Sequence, residues 1–379
     1  MSLPTNITLS FHPKLNRISK GKELRDGLSA VTQIADTLWV VNDEGTSLER
    51  LAPIKSLKPG IKAFGCHERF PLADFLRLPQ KKVKGSKNQP EVDVEGLTHA
   101  DGYLWLVGSH SLIRPKPTLD EGTKRARQQL YQVNWRGNRY LLARIPVEET
   151  NAIPTLVKKA MRDGKKLVAA QLRGDDRGND LTKALRQDEH LGLFLGIPGK
   201  DNGFDIEGLA VAGKRIFLGL RGPVLRGWAV ILELELKANG KRPSLLQLKP
   251  IGPKGGRYRK HFLQLAGLGV RDLCVQGPDL LILAGPTMSL EGPVKVFRWK
   301  GGADPKGECM VGKKDLVCLL EVPHGDDVGH AEGMTLFSLD GGQVGSLMVV
   351  YDSIPKKRQS DDGTVTVDLF PLAGKLSWR

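Results

Sequence analysis

The sequence predicts an all-β fold, namely a β-propeller of about five four-stranded blades with a helical insertion between blades two and three. Three observations indicate this fold. A short motif led by an acidic residue recurs five times, an apolar hairpin follows each recurrence, and further strands complete most of the units. Blades of four short strands around a channel are the anatomy of a propeller.

Each repeat begins with a carboxylate and continues into a short apolar run. The five stretches are Asp26-Gly-Leu-Ser-Ala-Val, Glu95-Gly-Leu-Thr-His, Glu207-Gly-Leu-Ala-Val, Asp272-Leu-Cys-Val and Glu332-Gly-Met-Thr-Leu. In each unit a turn signal and a second, more apolar run follow, which together predict a β-hairpin. The predicted hairpins lie near residues 26–43, 95–110, 207–221, 272–287 and 332–353.

Further apolar runs supply the outer strands. QLYQVNW and RYLLARIPV follow the second hairpin, AVILELEL and SLLQLKPI the third, VKVFRW and LVCLLEV the fourth. Only TVTVDLF follows the fifth, so the N-terminal NITLSF is expected to supply the missing strand and close the ring. A β-sandwich is the competing architecture, but it does not explain a carboxylate at the start of every hairpin.

We interpret residues 1–379 as one propeller domain, since blades pack mainly on their neighbours and escape the size limit of a single core. Residues 148–203 form a predicted helical lid that contains the stretches TLVKKAMRDGKKLVAAQL and DLTKALRQDEHLGLFL. A second insertion, 111–129, interrupts blade two. Both belong to the face on which the leading carboxylates lie, and insertions gathered on one face are often functional.

The leading carboxylates are expected to converge at one mouth of the channel, beside the polar residues that end each second strand. Two interpretations stay open. In one, the carboxylates accept hydrogen bonds from the backbone of the next blade and lock the ring. In the other, they bind a cation, Ca²⁺ or else Mg²⁺ or Mn²⁺, all of which prefer oxygen ligands. The candidate metal ligands are Asp43, Glu95, Glu207, Asp272 and Glu332.

Other side chains near this mouth are candidates for binding and proton transfer. Arg221, Arg226 and Arg271 are candidate ligands for a phosphate or carboxylate, although a salt bridge is the plain alternative for each. Glu207, His110 and His330 are the candidate catalytic residues, with the histidines in proton transfer; a lone histidine near a loop is more often structural. Nucleophile elbows, phosphate-binding loops and zinc spacings are absent from the sequence.

The formal net charge is +15, which favours an anionic partner such as a phosphate-bearing small molecule. The densest basic stretches are 81–87, 114–136 and 158–166. Nucleic acid is the less favoured partner, since only Tyr131 and Trp135 stand near these stretches for base stacking. No signal peptide or membrane helix is recognised, and the four cysteines show no paired spacing. A cytoplasmic protein with reduced cysteines and no membrane partner is therefore expected.

At DIEGLA, LRGPVLRGWA, GVRDL and LAGPT the chain resembles a bacterial family of domains of unknown function, over most of residues 25–370. That resemblance implies the fold and supplies no activity. The Asn42-Asp43 turn and the acidic-Glu-Gly-Leu strands are more distantly similar to the esterase-like phytase propellers. This second likeness implies carboxylates that bind Ca²⁺ and substrates that carry phosphate.

Two functions follow as hypotheses. The first is a divalent-cation-dependent hydrolase of a phosphoester or similar anionic substrate at the channel mouth, with a metal-activated water as nucleophile. The second is a non-catalytic binding module for an anionic partner, protein or nucleic acid. A propeller fold alone does not choose between them.

Overall fold

Five antiparallel sheets of four strands surround a central channel in the computed structural model, which describes residues 4–19, 21–55, 62–80, 90–150, 152–325, 327–338 and 344–372. The inner strand of each sheet contacts the inner strands of the two neighbouring sheets, so the five form a closed ring. This confirms the predicted propeller and its blade number.

The chain begins with β1 (Thr5–Ser10), α1 (Pro13–Asn16), β2 (Arg17–Ser19) and β3 (Lys22–Glu23). Blade one then runs outwards from the channel through β4 (Ala30–Ile34), β5 (Thr37–Val41), β6 (Ser47–Ile54) and β7 (Lys62–Pro71). Blade two has β8 (Val94–Ala100) and β9 (Tyr103–Gly108), then α2 (Thr123–Tyr131), then β10 (Leu142–Thr150). The short strands β11 (Ile153–Leu156), β12 (Lys159–Arg162) and β13 (Lys165–Val168) precede its outermost strand, β14 (Ala170–Leu172).

The elements β15 (Gly174–Asp175), β16 (Gly178–Asn179) and α3 (Asp180–Leu185) lead into blade three. That blade consists of β17 (Asp205–Ala212), β18 (Arg215–Gly222), β19 (Ala229–Ala238) and, after β20 (Leu245–Leu248), β21 (Arg259–Leu263). Blade four has β22 (Gly269–Gln276), β23 (Asp279–Gly285), β24 (Val294–Trp299) and, after β25 (Cys309–Val311), β26 (Leu316–Val322). Blade five has β27 (His330–Phe337), β28 (Ser346–Asp352), β29 (Thr364–Pro371) and β1.

Short 3-10 helices connect several of these strands. They span Leu24–Asp26, Leu72–Asp74, Gly137–Tyr140, Gly192–Gly196, Gly199–Asp201, Pro253–Gly255 and Lys356–Arg358. No helix within the described ranges has the length and apolar character that crossing a bilayer requires.

The two ends of the chain join the ring. β1 pairs antiparallel with β29, from Thr5 opposite Leu369 to Ser10 opposite Thr364. Its other edge pairs in parallel with β7 of blade one. The predicted role of the N-terminal strand is therefore confirmed, and the fifth blade is completed by a strand from the opposite end of the sequence.

The apolar core is divided among the interfaces between blades. Four buried clusters lie between neighbouring blades, and each combines alternate residues from the facing sheets. The Trp-containing second strands, β5 and β9, contribute Trp39 and Trp105 to these interfaces. Burial on both faces explains why the second strands read as continuous apolar runs rather than as alternating ones.

Two predicted outer strands are wrong. QLYQVNW begins at the end of α2, whose residues TKRARQQLY are mostly strong helix formers. SLLQLKPI contains β20, but this strand pairs with both β19 and β14 and so bridges blades two and three. The fourth strand of blade three is β21, which was not predicted because Arg259–Leu263 is short and about half polar.

The segment between blades two and three is less helical than predicted. TLVKKAMRDGKKLVAAQL contains the hairpin of β12 and β13, because Asp163 and Gly164 adopt positive φ angles of 49° and 72°. Such a pair favours a tight hairpin turn over a helix. DLTKALRQDEHLGLFL contains α3, which begins after Asn179; the Asn179 side chain accepts hydrogen bonds from the N–H groups of Leu181 and Thr182.

Candidate functional site

Four inner strands carry a bulge at the same point near the channel mouth. The register shifts between Val94 and Gly96, between Ile206 and Gly208, between Val270 and Asp272, and between Ala331 and Gly333. A bulge leaves one residue out of the ladder and redirects its side chain. The four residues at the bulges are Glu95, Glu207, Arg271 and Glu332.

The predicted alignment of the repeat is therefore wrong by one residue in blade four, where Arg271 takes the place of the carboxylate. Asp272 is fully buried, and its carboxylate accepts hydrogen bonds from the N–H groups of Leu273 (2.7 Å) and Met334 (2.8 Å). Met334 belongs to the inner strand of blade five. Asp272 thus locks two blades together, and it does not line the cavity described below. Burial raises the pKa of its carboxyl well above the ordinary value despite these bonds.

The alignment also shifts in blade one. In blade one Trp39 pairs with Thr32, and in blade two Trp105 pairs with Thr98. The two tryptophans, and likewise the two threonines, therefore hold equivalent positions. The residue three positions before the threonine is Ser29 in blade one and Glu95 in blade two. Ser29, and not Asp26, therefore corresponds to Glu95. The Ser29 hydroxyl donates a hydrogen bond to the carbonyl oxygen of Val94 at 2.7 Å, which joins blade one to blade two.

Three of the four bulged residues, Glu95, Glu207 and Glu332, line a cavity of about 600 Å³ at the channel mouth. Carboxylates dominate its inner wall and come from blades one, two, three and five. They are Asp43, Asp93, Glu95, Asp205, Glu207, Glu332 and Asp352. This confirms neither interpretation of the repeat by itself, because the partners of the carboxylates differ from residue to residue.

Three arginines neutralise part of this charge. Arg221 lies between Asp205 and Glu207, and its Nε is 3.0 Å from Glu207 Oε1. Arg271 Nη1 lies 3.2 Å from Glu207 Oε2 and 3.1 Å from Glu332 Oε1. Desolvation opposes the charge on Arg221, but the carboxylates of Asp205 and Glu207 outweigh it and raise the pKa of Arg221 above its ordinary value.

The third arginine, Arg139, pairs with carboxylates of blade two. Its Nη2 lies 2.8 Å from Asp93 Oδ1 and 3.0 Å from Glu91 Oε1. Its Nη1 donates to the hydroxyl of Ser111 at 2.9 Å. Arg139 was not among the predicted site residues, because it precedes the third strand and belongs to none of the repeated motifs.

Glu95 stands apart from these pairs. Among the residues that the structure describes, no hydrogen bond or ion pair reaches its carboxylate. Burial raises its pKa well above the ordinary value, and Asp93, Glu207 and Glu332 raise it further. The remaining exposed surface of Glu95 faces the cavity.

Asp43 and Glu332 are in a similar electrostatic position. Burial, followed by the charges of Asp93 and Asp352, raises the pKa of Asp43 to about 8. Burial and the charge of Asp352 raise the pKa of Glu332 well above its ordinary value, although Arg271 opposes this. At neutral pH the cavity wall therefore retains protons on some of its carboxyl groups.

Four predicted site residues lie elsewhere. His110 is buried, and its ring nitrogens face the Gly108 carbonyl oxygen (2.7 Å) and the Asn179 amide nitrogen (2.7 Å); burial lowers its pKa to about 4. His330 is exposed and pairs with Glu291 at 2.8 Å. Arg226 is exposed and outside the cavity lining, and the buried Asp272 is outside it too. The cavity therefore unites Asp43, Glu95, Glu207, Glu332 and Arg221, with Arg271 directly behind the carboxylates.

The two insertions supply the outer rim. Ser111 to Pro117 and Gly199 to Asp201 line the cavity, and the Arg114 guanidinium Nε lies 2.7 Å from Asp201 Oδ2. Lys116 and Lys200 add positive charge beside Arg114. The rim is thus basic while the inner wall is acidic. Of the three basic stretches noted in the sequence, 81–87 lies outside the described residues.

The wall consists of oxygen donors, which suit hard cations such as Ca²⁺, Mg²⁺ and Mn²⁺. In their present positions, no three His, Cys, Asp or Glu side chains of the described part of the chain converge closely enough to hold a metal ion. A bound cation would therefore require carboxylates such as Glu95 to turn towards one another.

The chain matches a known family along most of its length. The family described as "Protein of unknown function (DUF3616)" matches residues 27–368. A comparison with the curated proteins finds none that is similar to this chain.

Solved structures show only a distant likeness. A putative oxidoreductase (glucose dehydrogenase) from Thermus thermophilus is 13% identical with a TM-score of 0.35, over 91% of this chain and 97% of that one. The PQQ-bound aldose sugar dehydrogenase from Streptomyces coelicolor is 12% identical with a TM-score of 0.35, over 96% and 98%. The hydrazine synthase of Kuenenia stuttgartiensis is 10% identical with a TM-score of 0.31, over 86% of this chain and only 55% of that one. Scores this low carry no inference about activity.

Proposed function

Because the chain belongs to the family of proteins of unknown function DUF3616, which supplies no activity, we propose a function from the cavity itself: a divalent-cation-dependent hydrolase of a phosphoester or similar anionic group. The observation that supports this proposal most directly is the carboxylate of Glu95, which has no partner among the described residues and lies in a wall where carboxylates outnumber arginines. Ionisation of a partly buried carboxyl group without a partner is costly, and a cation would offset that cost.

The candidate cation ligands are the cavity carboxylates that no arginine of the described residues contacts, together with Glu332, which shares Arg271 with Glu207. Asp43, Glu95, Glu332 and Asp352 meet this description, and the charges of Asp43 and Asp352 both raise the pKa of Glu332. A divalent cation would displace the protons that some of these groups hold at neutral pH. It would supply a water of lowered pKa and would stabilise negative charge on the substrate.

The protein's own residues would supply the base and the positive charge that attracts the substrate. Burial raises the pKa of Glu207, while Arg221 and Arg271 oppose this and fix its orientation by contacting it from two sides. Glu207 is thereby available as a base near the cavity floor. Arg114, Lys116 and Lys200 at the rim would attract an anion towards the cavity. The choice of a phosphoester follows from the resemblance of the repeated strands to esterase-like phytase propellers.

Cation binding is the first test. Purified protein, stripped with a chelator, should bind Ca²⁺, Mg²⁺ or Mn²⁺ in isothermal titration calorimetry. The Glu95→Gln variant should bind at least tenfold more weakly, a loss of about 1.4 kcal/mol. Glu149→Gln, at an exposed position on blade two, is the matched control and should bind as the wild type does. No cation binding by the wild type would refute the proposal.

Turnover is the second test. The cation-loaded protein should hydrolyse p-nitrophenyl phosphate or its diester, and both EDTA and Glu95→Gln should abolish this activity. Cation binding without turnover on a broad phosphoester panel would contradict the hydrolase. That outcome would favour the alternative, a non-catalytic module that binds an anionic partner.

A further inference from the structure

The segment 111–136, which we call the rim segment, stands at the cavity mouth and is anchored to it. Leu112 pairs with Pro198 and Ile113 with Asn134 through isolated bridges, and Arg114 pairs with Asp201. The Thr118 N–H donates to Gln129 Oε1 at 3.0 Å, which brings the start of the segment beside the end of α2. The rim segment is therefore a folded excursion with one side on the cavity and the other in solvent.

Its solvent side carries an unusual concentration of apolar side chains. Nearly half of the large hydrophobic residues that are exposed in the described part of the chain lie in this one short segment. They are Leu119 (77% exposed), Tyr131 (86%), Val133 (40%) and Trp135 (59%), together with Leu130 (53%), which also lines the cavity. Scattered exposed hydrophobics are ordinary, but a group of this kind is typical of a docking surface.

The same segment is strongly basic. It contains six basic residues and only two acidic ones, Asp120 and Glu121. The basic residues are Arg114, Lys116, Lys124, Arg125, Arg127 and Arg136. Except for Arg114 the basic side chains are exposed. Arg125 pairs with Glu121 at 3.2 Å in an exposed helical turn, a contact of little energy. The partner of this surface must therefore offer negative charge together with an apolar layer.

We infer that the rim segment docks the protein on an anionic membrane surface. Exposed Trp and Tyr side chains prefer the boundary between headgroups and acyl chains, where Leu and Val also gain from burial. Basic residues beside them strengthen attachment to a surface that contains anionic lipid. The inference goes beyond the proposed hydrolysis and does not depend on it.

Two other occupants fit the segment less well. A second copy of the chain would bring two rim segments together, each with an excess of positive charge, so the copies would repel. Single-stranded nucleic acid would use Tyr131, Trp135 and the basic residues, but it would leave Leu119, Leu130 and Val133 uncovered. This inference departs from the sequence-based expectation of no membrane partner, which rested on the absence of a spanning segment, because a surface-bound segment needs none.

Vesicle binding tests the inference with the full chain. The protein should float with vesicles of phosphatidylcholine plus phosphatidylglycerol and remain unbound with phosphatidylcholine alone. The Tyr131→Ser/Trp135→Ser double variant should weaken binding by at least tenfold. Met161→Ser/Met310→Ser removes apolar groups of similar exposure (66% and 65%) elsewhere on the surface, and should leave binding unchanged. Trp135 emission should shift to shorter wavelength on the anionic vesicles, and Trp135→Phe should remove that shift.

Three results would overturn the inference. If both double variants bind anionic vesicles as tightly as the wild type, net charge alone is responsible. Binding to an oligothymidine but not to anionic vesicles would assign the surface to nucleic acid. A dimer that light scattering detects in the wild type, and that Tyr131→Ser/Trp135→Ser dissociates, would assign it to a second copy.

Discussion

The guanidinium of Arg271 lies 3.1 Å from the carboxylate of Glu332, so that a cation from blade four neutralises an anion from blade five at the equivalent bulge. The same Arg271 contacts Glu207 of blade three. One arginine therefore joins three consecutive blades at the cavity wall. Removing one member of a buried network of charges usually costs more than the network contributes.

Arg271→Gln should lower the free energy of unfolding by about 3 kcal/mol at neutral pH, because Glu207 and Glu332 lose a shared counter-charge. The loss should shrink as the pH falls, since these carboxyls already have raised pKa values and accept protons readily. Urea unfolding at several pH values measures both effects. Arg226→Gln, at an exposed arginine, is the control and should change stability by no more than about 0.5 kcal/mol. Equal losses in the two variants would contradict the role of Arg271.

Asp272→Asn should lower the free energy of unfolding by about 1–3 kcal/mol, because an amide nitrogen cannot accept from the backbone N–H groups that the carboxylate serves. Cation affinity should not change, since Asp272 lies outside the cavity. Thermal unfolding and calorimetry separate these two readouts. Asp36→Asn, in an exposed turn, should be neutral in both. A cation affinity that falls in Asp272→Asn would return this residue to the set of ligands.

Because the pKa of Asp43 is raised, the free energy of unfolding of the metal-free protein should fall as the pH rises. Its pKa is raised from 3.8 to about 8 in the folded state, so the stability that its proton provides is complete below the ordinary pKa and is lost as the pH rises to about 8. The side chain that Asp43→Asn introduces cannot ionise. Over this pH interval, the free energy of unfolding of the variant should therefore rise relative to that of the wild type by more than about 1 kcal/mol. Urea unfolding in the presence of a chelator provides the measurement. Parallel stability curves for the two proteins would show that Asp43 does not titrate in this window.

Gly96→Ala should destabilise the ring between blades two and three. A Cβ at this position would lie 2.7 Å from Leu209 Cβ, 3.0 Å from Val107 Cγ1 and 3.2 Å from the Glu207 carbonyl oxygen. We expect a loss of about 2 kcal/mol from this overpacking. Gly196→Ala, where a Cβ would meet no atom within 4 Å, is the control, and thermal unfolding should show no comparable change. A tolerated Gly96→Ala would mean that the inner strands separate more easily than their spacing suggests.

The sequence was sufficient for the blades and insufficient for the register at the site. Turn signals and buried apolar runs such as those around Trp39 and Trp105 determine hairpins locally, and these were predicted correctly. The bulge beside Arg271 could not be predicted, because Val-Arg-Asp supplies both an acidic and a basic residue and either can be read as the repeat position. Which one occupies the bulge depends on the backbone of the neighbouring blades, which Asp272 contacts only in the folded ring.

The same limit applies to the partners of the carboxylates. The repeat correctly brought Glu95, Glu207 and Glu332 to one cavity. It contained no sign that Arg139, which lies outside every motif, would pair with Asp93, or that His110 would be enclosed by Gly108 and Asn179. Most of these contacts arise between segments that are distant in the sequence and carry no local pattern.

The pairing of β1 with β29 also determines the order in which the molecule can be completed during synthesis. β1 leaves the ribosome before every other blade strand, and its partner leaves after all of them. Blades one to four can assemble while translation continues. β1, however, stays without its antiparallel partner until β29 has been synthesised. Contacts between such distant segments form slowly. A circularly permuted chain that places β1 directly after β29 should therefore refold faster than the natural order while it retains the same ring.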